Sequence, residues 1–105
     1  MNADEYLARI EAGLLTVPDW VRATVDEVEE AYRSAREEAG AEPRALEALA
    51  AHYRNSGDHV AAVPLESRAA GLIRAAERRL IKRAEARKYA EYLAAKQESV
   101  EEAVV

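Results

Sequence analysis

The longest stretch of helical propensity most constrains how this sequence can fold. The residues from Pro64 to about Glu98 favour a helix throughout. At about 1.5 Å per residue this helix would be roughly 50 Å long. It is long for a chain of 105 residues. The rest of the chain is therefore expected either to cross it or to leave part of it extending as an arm.

Cap, proline and turn signals predict shorter helices before the long one. Asn2 begins the first helix as a polar cap. Pro18, Pro43 and Pro64 each suit the first turn of a helix, where a proline costs no hydrogen bond. The run Asn55–Asp58 is a strong turn signal. The predicted helices cover about 3–15, 18–39, 43–54 and 64–98.

The start of the last helix is open to two interpretations. Pro64 either kinks a helix that begins near Asp58 or opens a new helix itself. We prefer the second interpretation, with one short helical turn over 59–63.

These elements predict an all-α fold. It is a small helical bundle of three to four helices, with an N-terminal antiparallel helix pair and a long C-terminal helix. One domain would span 1–98, and the tail 99–105 would fray.

The second helix has the most regular apolar pattern. Apolar residues recur at alternating spacings of four and three residues, a period of 3.5 that is typical of coiled coils. The chain has no Phe, and much of its apolar content is Ala, which buries little surface. We therefore predict homo-oligomerisation, with self-association through Val21, Val25, Val28 and Tyr32.

The composition also bounds location and chemistry. Cysteine is absent, which excludes disulfides and thiolate zinc sites. No apolar run approaches the roughly 20 residues that span a bilayer, so no membrane contact is expected. The acidic start lacks an export signal, which predicts a cytoplasmic protein.

Charge is divided along the chain. Residues 1–42 carry eleven acids and four bases, whereas residues 74–88 carry seven bases and two acids. The long helix thus becomes basic in its second half, and tyrosines follow. Its cations either lie over the acidic second helix, with their stems packed on Ala, or belong to an arm that binds a partner. The predicted partner-binding residues are Arg74, Arg78, Arg79, Lys82, Arg83, Arg87, Tyr89, Tyr92 and Leu93.

No pattern in the sequence indicates an enzyme. Phosphate loops, nucleophile motifs and His-Glu metal boxes are absent from the sequence, so we predict no catalytic residue, cofactor or metal. His52 and His59 flank the turn but are expected to be surface residues. Trp20 is expected to cover the end of the core more readily than to anchor a partner.

The segment around the turn carries a family-like pattern. Leu49-Ala50, Tyr53, Gly57-Asp58 and Ala62 follow one another at a spacing that resembles one tetratricopeptide repeat. Ala69 falls on a further position of that family, whereas Pro64 and Glu66 depart from the pattern. The resemblance implies two antiparallel helices that pack as a hairpin and no repeat array.

The function expected from these features is a helical interaction or adaptor protein, self-associating, that docks a protein partner through its long helix. One alternative is a small nucleic-acid-binding regulator, because 44–73 is similar to a helix-turn-helix. Another is a small accessory, assembly or inhibitor protein of a virus or mobile element.

Overall fold

The fold is all-α, as predicted. A computed structural model of the protein describes the backbone of residues 1–104 and the side chains of residues 1–100. About 80% of the chain is helical, and no strand occurs in the described backbone. The four helices of that backbone are α1 (Ala3–Glu11), α2 (Val25–Ala39), α3 (Glu42–Asn55) and α4 (His59–Val104).

The chain divides into two compact units. Unit 1 comprises Met1–Glu27 and Ile81–Val105, and unit 2 comprises Val28–Leu80. Helix α4 is continuous and contributes to both.

Helix α1 begins as predicted but ends four residues early. The Asn2 side chain accepts a hydrogen bond from the Glu5 amide, and the Glu5 carboxylate accepts one from the Asn2 amide, which completes a capping box. Gly13 ends it, because its φ of 78° is accessible to glycine at little cost. The Leu14 amide donates to the Arg9 carbonyl at 2.9 Å, as in a Schellman motif. The predicted extent of 3–15 is therefore too long.

Helix α2 begins at Val25 and not at Pro18, so its predicted start is wrong. The Thr24 hydroxyl accepts the Glu27 amide at 3.2 Å, and the Glu27 carboxylate accepts the Thr24 amide at 2.8 Å. This is a second capping box, which satisfies two free amides at the start of the helix. Gly40, with a φ of 82°, follows its last residue.

Helices α3 and α4 form the hairpin that the turn signal predicted. Gly57 adopts a φ of 85°, and the Asp58 amide donates to the Tyr53 carbonyl at 2.8 Å. The Asp58 side chain then accepts the Ala61 amide at 3.1 Å and caps α4. The preference for a new helix at Pro64 is therefore wrong, because Pro64 lies inside a helix that is already capped.

The C-terminal end of α4 also differs from the prediction. The helix continues past Glu98 to Val104. The predicted frayed tail, 99–105, thus begins within a helix. Val105 and the side chains of 101–105 lie outside what the structure describes.

Alanine fills the interior of both units. In unit 2 it comes from every helix, including three residues of α4 at seven-residue intervals, and in unit 1 two alanines of α4 lie in the core with one valine. Because alanine is short, helices that meet through it approach closely. Apart from Pro43, the buried apolar residues of the described chain are Val21, Ala31, Ala35, Ala50, Ala62, Ala69, Ala76, Ala86 and Ala90.

Candidate protein-docking surfaces

Several of the predicted partner-binding cations are engaged inside the chain. In unit 1, Arg87 binds Asp4 of α1 at 2.8 Å. Lys88, which was not among the predicted partner-binding residues, donates to Glu27 at 2.8 Å and to the carbonyl of Arg22 at 2.8 Å. These two cations tie α4 to the N-terminal segments of its own unit.

Unit 2 uses its cations in a similar way. Arg68 binds Glu42 at 2.9 Å, and Arg79 lies 3.6 Å from Glu38 of α2. Arg83, of unit 1, is also engaged in an interaction. Exposed pairs of this kind each contribute about 0–1 kcal/mol, so they select a packing arrangement more than they stabilise it.

The Glu27 carboxylate is the most strongly perturbed acid among those described. Hydrogen bonds from the Lys88 ammonium and from the Thr24 amide lower its pKa from 4.5 to about 2. Both donors favour the charged form of the carboxylate. The start of α2 is therefore joined electrostatically to the C-terminal half of α4 within unit 1.

Three predicted cations remain uncommitted. Arg74, Arg78 and Lys82 are exposed and recur every four residues, so they lie in one row along α4. In the described part of the chain, none of them has a hydrogen bond or an ion pair. The predicted basic surface thus separates into cations that hold the fold and cations that face solvent.

The two predicted tyrosines belong to an aromatic cluster, which we define as Trp20, Tyr89 and Tyr92. The Trp20 ring meets Tyr92 edge-on at 5.2 Å between centroids and Tyr89 edge-on at 6.2 Å. The two tyrosine rings stack at 6.2 Å. The Lys96 ammonium lies 6.0 Å from the Tyr92 ring. Leu93, the last predicted partner residue, is half-buried.

Trp20 contacts α4 but remains largely open to solvent. Its side chain packs on α4, yet it is 63% exposed, and Tyr92 is 45% exposed. The sequence did not group Trp20 with the tyrosines. The non-helical segment that brings Trp20 to them was not visible in the sequence. The available signal was the spacing of Tyr89 and Tyr92, which places both on one helix face.

The predicted self-association residues do not form one helical stripe. Val21 precedes α2 and is buried, whereas Val25 is 73% exposed and Tyr32 is 58% exposed. Val28 is half-buried. The period that linked the four residues therefore extends beyond the true start of the helix.

The turn between α3 and α4 offers little to a phosphate backbone. Arg54 binds Glu66 and lies 3.2 Å from the ring nitrogen of His59. Arg68, the other strong cation of that segment, is held by Glu42. Phosphate contacts need cations that are free to leave their own partners.

Within the described residues, no three His, Cys, Asp or Glu side chains group as metal ligands would. None of the helices searched there combines the length and apolarity of a bilayer-spanning segment.

No known protein family, curated protein or solved structure matches this chain. The aromatic cluster and the row of free cations are exposed features that a partner can reach.

Proposed function

We propose that the protein is a non-enzymatic interaction module that docks a segment of a protein partner across the aromatic cluster. The observation that carries the proposal is the exposure of Trp20 and Tyr92 in direct ring contact. Trp and Tyr are the residues most enriched among those that dominate binding energy at protein interfaces.

The cluster is organised before a partner arrives. Its three rings already touch, with centroids 5.2–6.2 Å apart. A ligand therefore has no gap to enter between the rings and must lie across them. Because the rings hold one another, little side-chain freedom remains to be lost on binding, which favours affinity.

The three rings also carry unused hydrogen-bond donors. In the described residues, the Trp20 indole N–H and the Tyr89 and Tyr92 hydroxyls have no hydrogen-bond acceptor. A peptide segment supplies backbone carbonyls for such donors and apolar side chains for the rings. This combination favours a protein ligand over a purely apolar one.

Charge near the cluster argues against a nucleic-acid ligand. Exposed acids, Asp19 and Glu91, directly precede Trp20 and Tyr92 in the sequence, and the chain carries a net charge of −5. Aromatic platforms that bind single-stranded nucleic acid are accompanied by positively charged grooves. Lys96 is the one cation recorded against these rings in the described part of the chain.

The proposal is tested by selection from a displayed library of random 16-residue peptides. Peptides enriched on the wild-type protein should lose about tenfold or more in affinity with Tyr92→Ala, since loss of one anchor costs about 1.4 kcal/mol or more. Trp20 is the only tryptophan, so its emission reports binding directly in the same titration.

Tyr32→Ala is the matched control, because Tyr32 is also exposed, at 58% against 45% for Tyr92, but lies outside the cluster. Equal losses with Tyr92→Ala and Tyr32→Ala, or no enriched peptide, would show that the cluster is not a docking surface.

A second copy of the chain is the competing occupant. Light scattering across a tenfold dilution measures whether the protein forms a dimer. A dimer that Tyr92→Ala dissociates would mean that the cluster serves the self-association expected from the sequence. A monomer at every concentration leaves the cluster free for a different protein.

A further inference from the structure

A second surface of α4, within unit 2, has no partner in the described chain. Its residues are separated by three or four positions, so at 100° per residue they fall within one sector of the helix. We call this surface the outer stripe, and it consists of Val60, Val63, Ser67, Gly71, Arg74 and Arg78.

The outer stripe lies on the opposite side of α4 from its buried alanines, Ala62, Ala69 and Ala76. Val60 is 86% exposed and Val63 is 52% exposed. Ser67, Arg74 and Arg78 are exposed as well. One end of the stripe is therefore apolar, the middle carries small residues, and the far end is cationic.

Gly71 is not required by the packing of its own chain. A Cβ built on this residue meets nothing within 4 Å, and its φ is not in the region that favours glycine. Glycine inside a helix destabilises it relative to alanine. Gly71 therefore leaves a gap between the side chains of the stripe, where another backbone can approach the helix closely.

We propose that the outer stripe binds an acidic amphipathic helix of a partner protein. The partner helix lies along α4, with its apolar residues on Val60 and Val63. Its backbone passes over Ser67 and Gly71, and its carboxylates meet Arg74 and Arg78. The stripe spans about 27 Å along α4, at about 1.5 Å per residue, which a partner helix of five turns would cover.

Charge complementarity selects this occupant. Among the described residues, Arg74 and Arg78 have no carboxylate partner, whereas Arg68 and Arg79 of the same unit do. Guanidinium groups bind carboxylates in a bidentate geometry, which orients a ligand as well as attracting it. Even when Lys82 is counted with the two arginines, three cations on a chain of net charge −5 are few for a phosphate backbone or an anionic membrane.

The test uses displayed 21-residue helical peptides with one face randomised. Selected peptides should carry apolar residues toward one end and Glu or Asp toward the other. Their affinity should fall at least tenfold with Arg74→Glu/Arg78→Glu and also with Gly71→Leu. The second variant keeps the charge and fills only the space over the helix.

Arg9→Glu/Arg44→Glu makes the same change of charge at two exposed arginines off the stripe and should leave binding unchanged. Peptides that bind the Arg74→Glu/Arg78→Glu protein as tightly as the wild type would overturn the proposal, as would no enrichment over the displayed scaffold. Binding of a 20-base-pair DNA duplex, or a dimer, that only the stripe reversal abolishes would assign the stripe to another occupant and also overturn it.

Discussion

At the scale of single residues, the Glu27 carboxylate joins two functions. It accepts the Thr24 amide at the start of α2, and it accepts the Lys88 ammonium of α4. A cap and a tertiary ion pair thus depend on one ionised side chain. Because both donors favour the ionised carboxylate, the pKa of Glu27 lies far below the usual value.

Acid should therefore weaken the protein in a defined pH range. The pKa of Glu27 falls from 4.5 to about 2 on folding. A lowered folded-state pKa adds stability above the unfolded value, and this stability is lost as pH falls from about 4.5 toward 2. Glu27→Gln should lower the free energy of unfolding at pH 7, with a difference from wild type that shrinks toward zero near pH 2.

Urea unfolding followed by circular dichroism at pH 7, 4 and 2.5 measures this difference. Glu29→Gln is the control, because Glu29 is exposed on the same helix and has no hydrogen bond within the described chain. A Glu27→Gln difference that does not depend on pH would show that the ionised form contributes nothing special.

At the scale of elements, prolines, apolar periods and capping residues compete to set where a helix begins, and the most conspicuous of these signals did not always set it. Pro18 and the 3.5-residue period both favour an early start for α2, but the capping box of Thr24 and Glu27 sets it at Val25. That box was readable from the sequence. Asp58 likewise caps α4 ahead of Pro64, although proline usually begins or breaks a helix.

Contacts between distant segments were beyond sequence reasoning. The helical class, the hairpin turn and the long C-terminal helix follow from local propensity and caps, and these predictions are confirmed. The meeting of Trp20 with Tyr89 and Tyr92 depends on the path of the non-helical segment before α2. Which cations find carboxylates depends on the same tertiary placement, so periodicity alone did not separate Arg87 from Arg74.

Pro64 is expected to destabilise α4, and replacing it should stabilise the protein. It cannot donate to the Val60 carbonyl, one turn earlier, and its ring crowds that carbonyl. Pro64→Ala should raise the free energy of unfolding by about 1–3 kcal/mol, measured by thermal and urea unfolding.

Pro43→Ala should have the opposite effect on the free energy of unfolding. Pro43 lies in the first turn of α3, where a proline is favoured, and it is fully buried. This variant should destabilise the protein. A loss of stability with Pro64→Ala would show that the proline has a packing role that outweighs its missing hydrogen bond.

At the scale of the whole molecule, an alanine interior makes packing depend on close approach and not on large side chains. Each buried alanine removes little apolar area from water, so no single residue dominates the hydrophobic free energy. What the interior gains from alanine is proximity between helices. Substitutions that enlarge a buried side chain should therefore strongly lower the free energy of unfolding.

Two neighbouring alanines of α3 test this idea. Ala50 is 1% exposed, whereas Ala51 is exposed. Ala50→Leu should destabilise the protein by about 1–3 kcal/mol, because the added methyl groups force the helices apart. Ala51→Leu should change stability by less than about 0.5 kcal/mol. Similar unfolding midpoints for the two variants would show that the core has room to expand.

At its alanine positions, an interior built this way is more vulnerable to gains in side-chain volume than to losses. Most damaging core mutations in other proteins remove atoms and leave cavities, but a methyl side chain can lose almost nothing. Nearly every accessible change at these positions adds volume. Harmful variation at residues such as Ala35, Ala62 and Ala76 should therefore come mainly as gains in side-chain size.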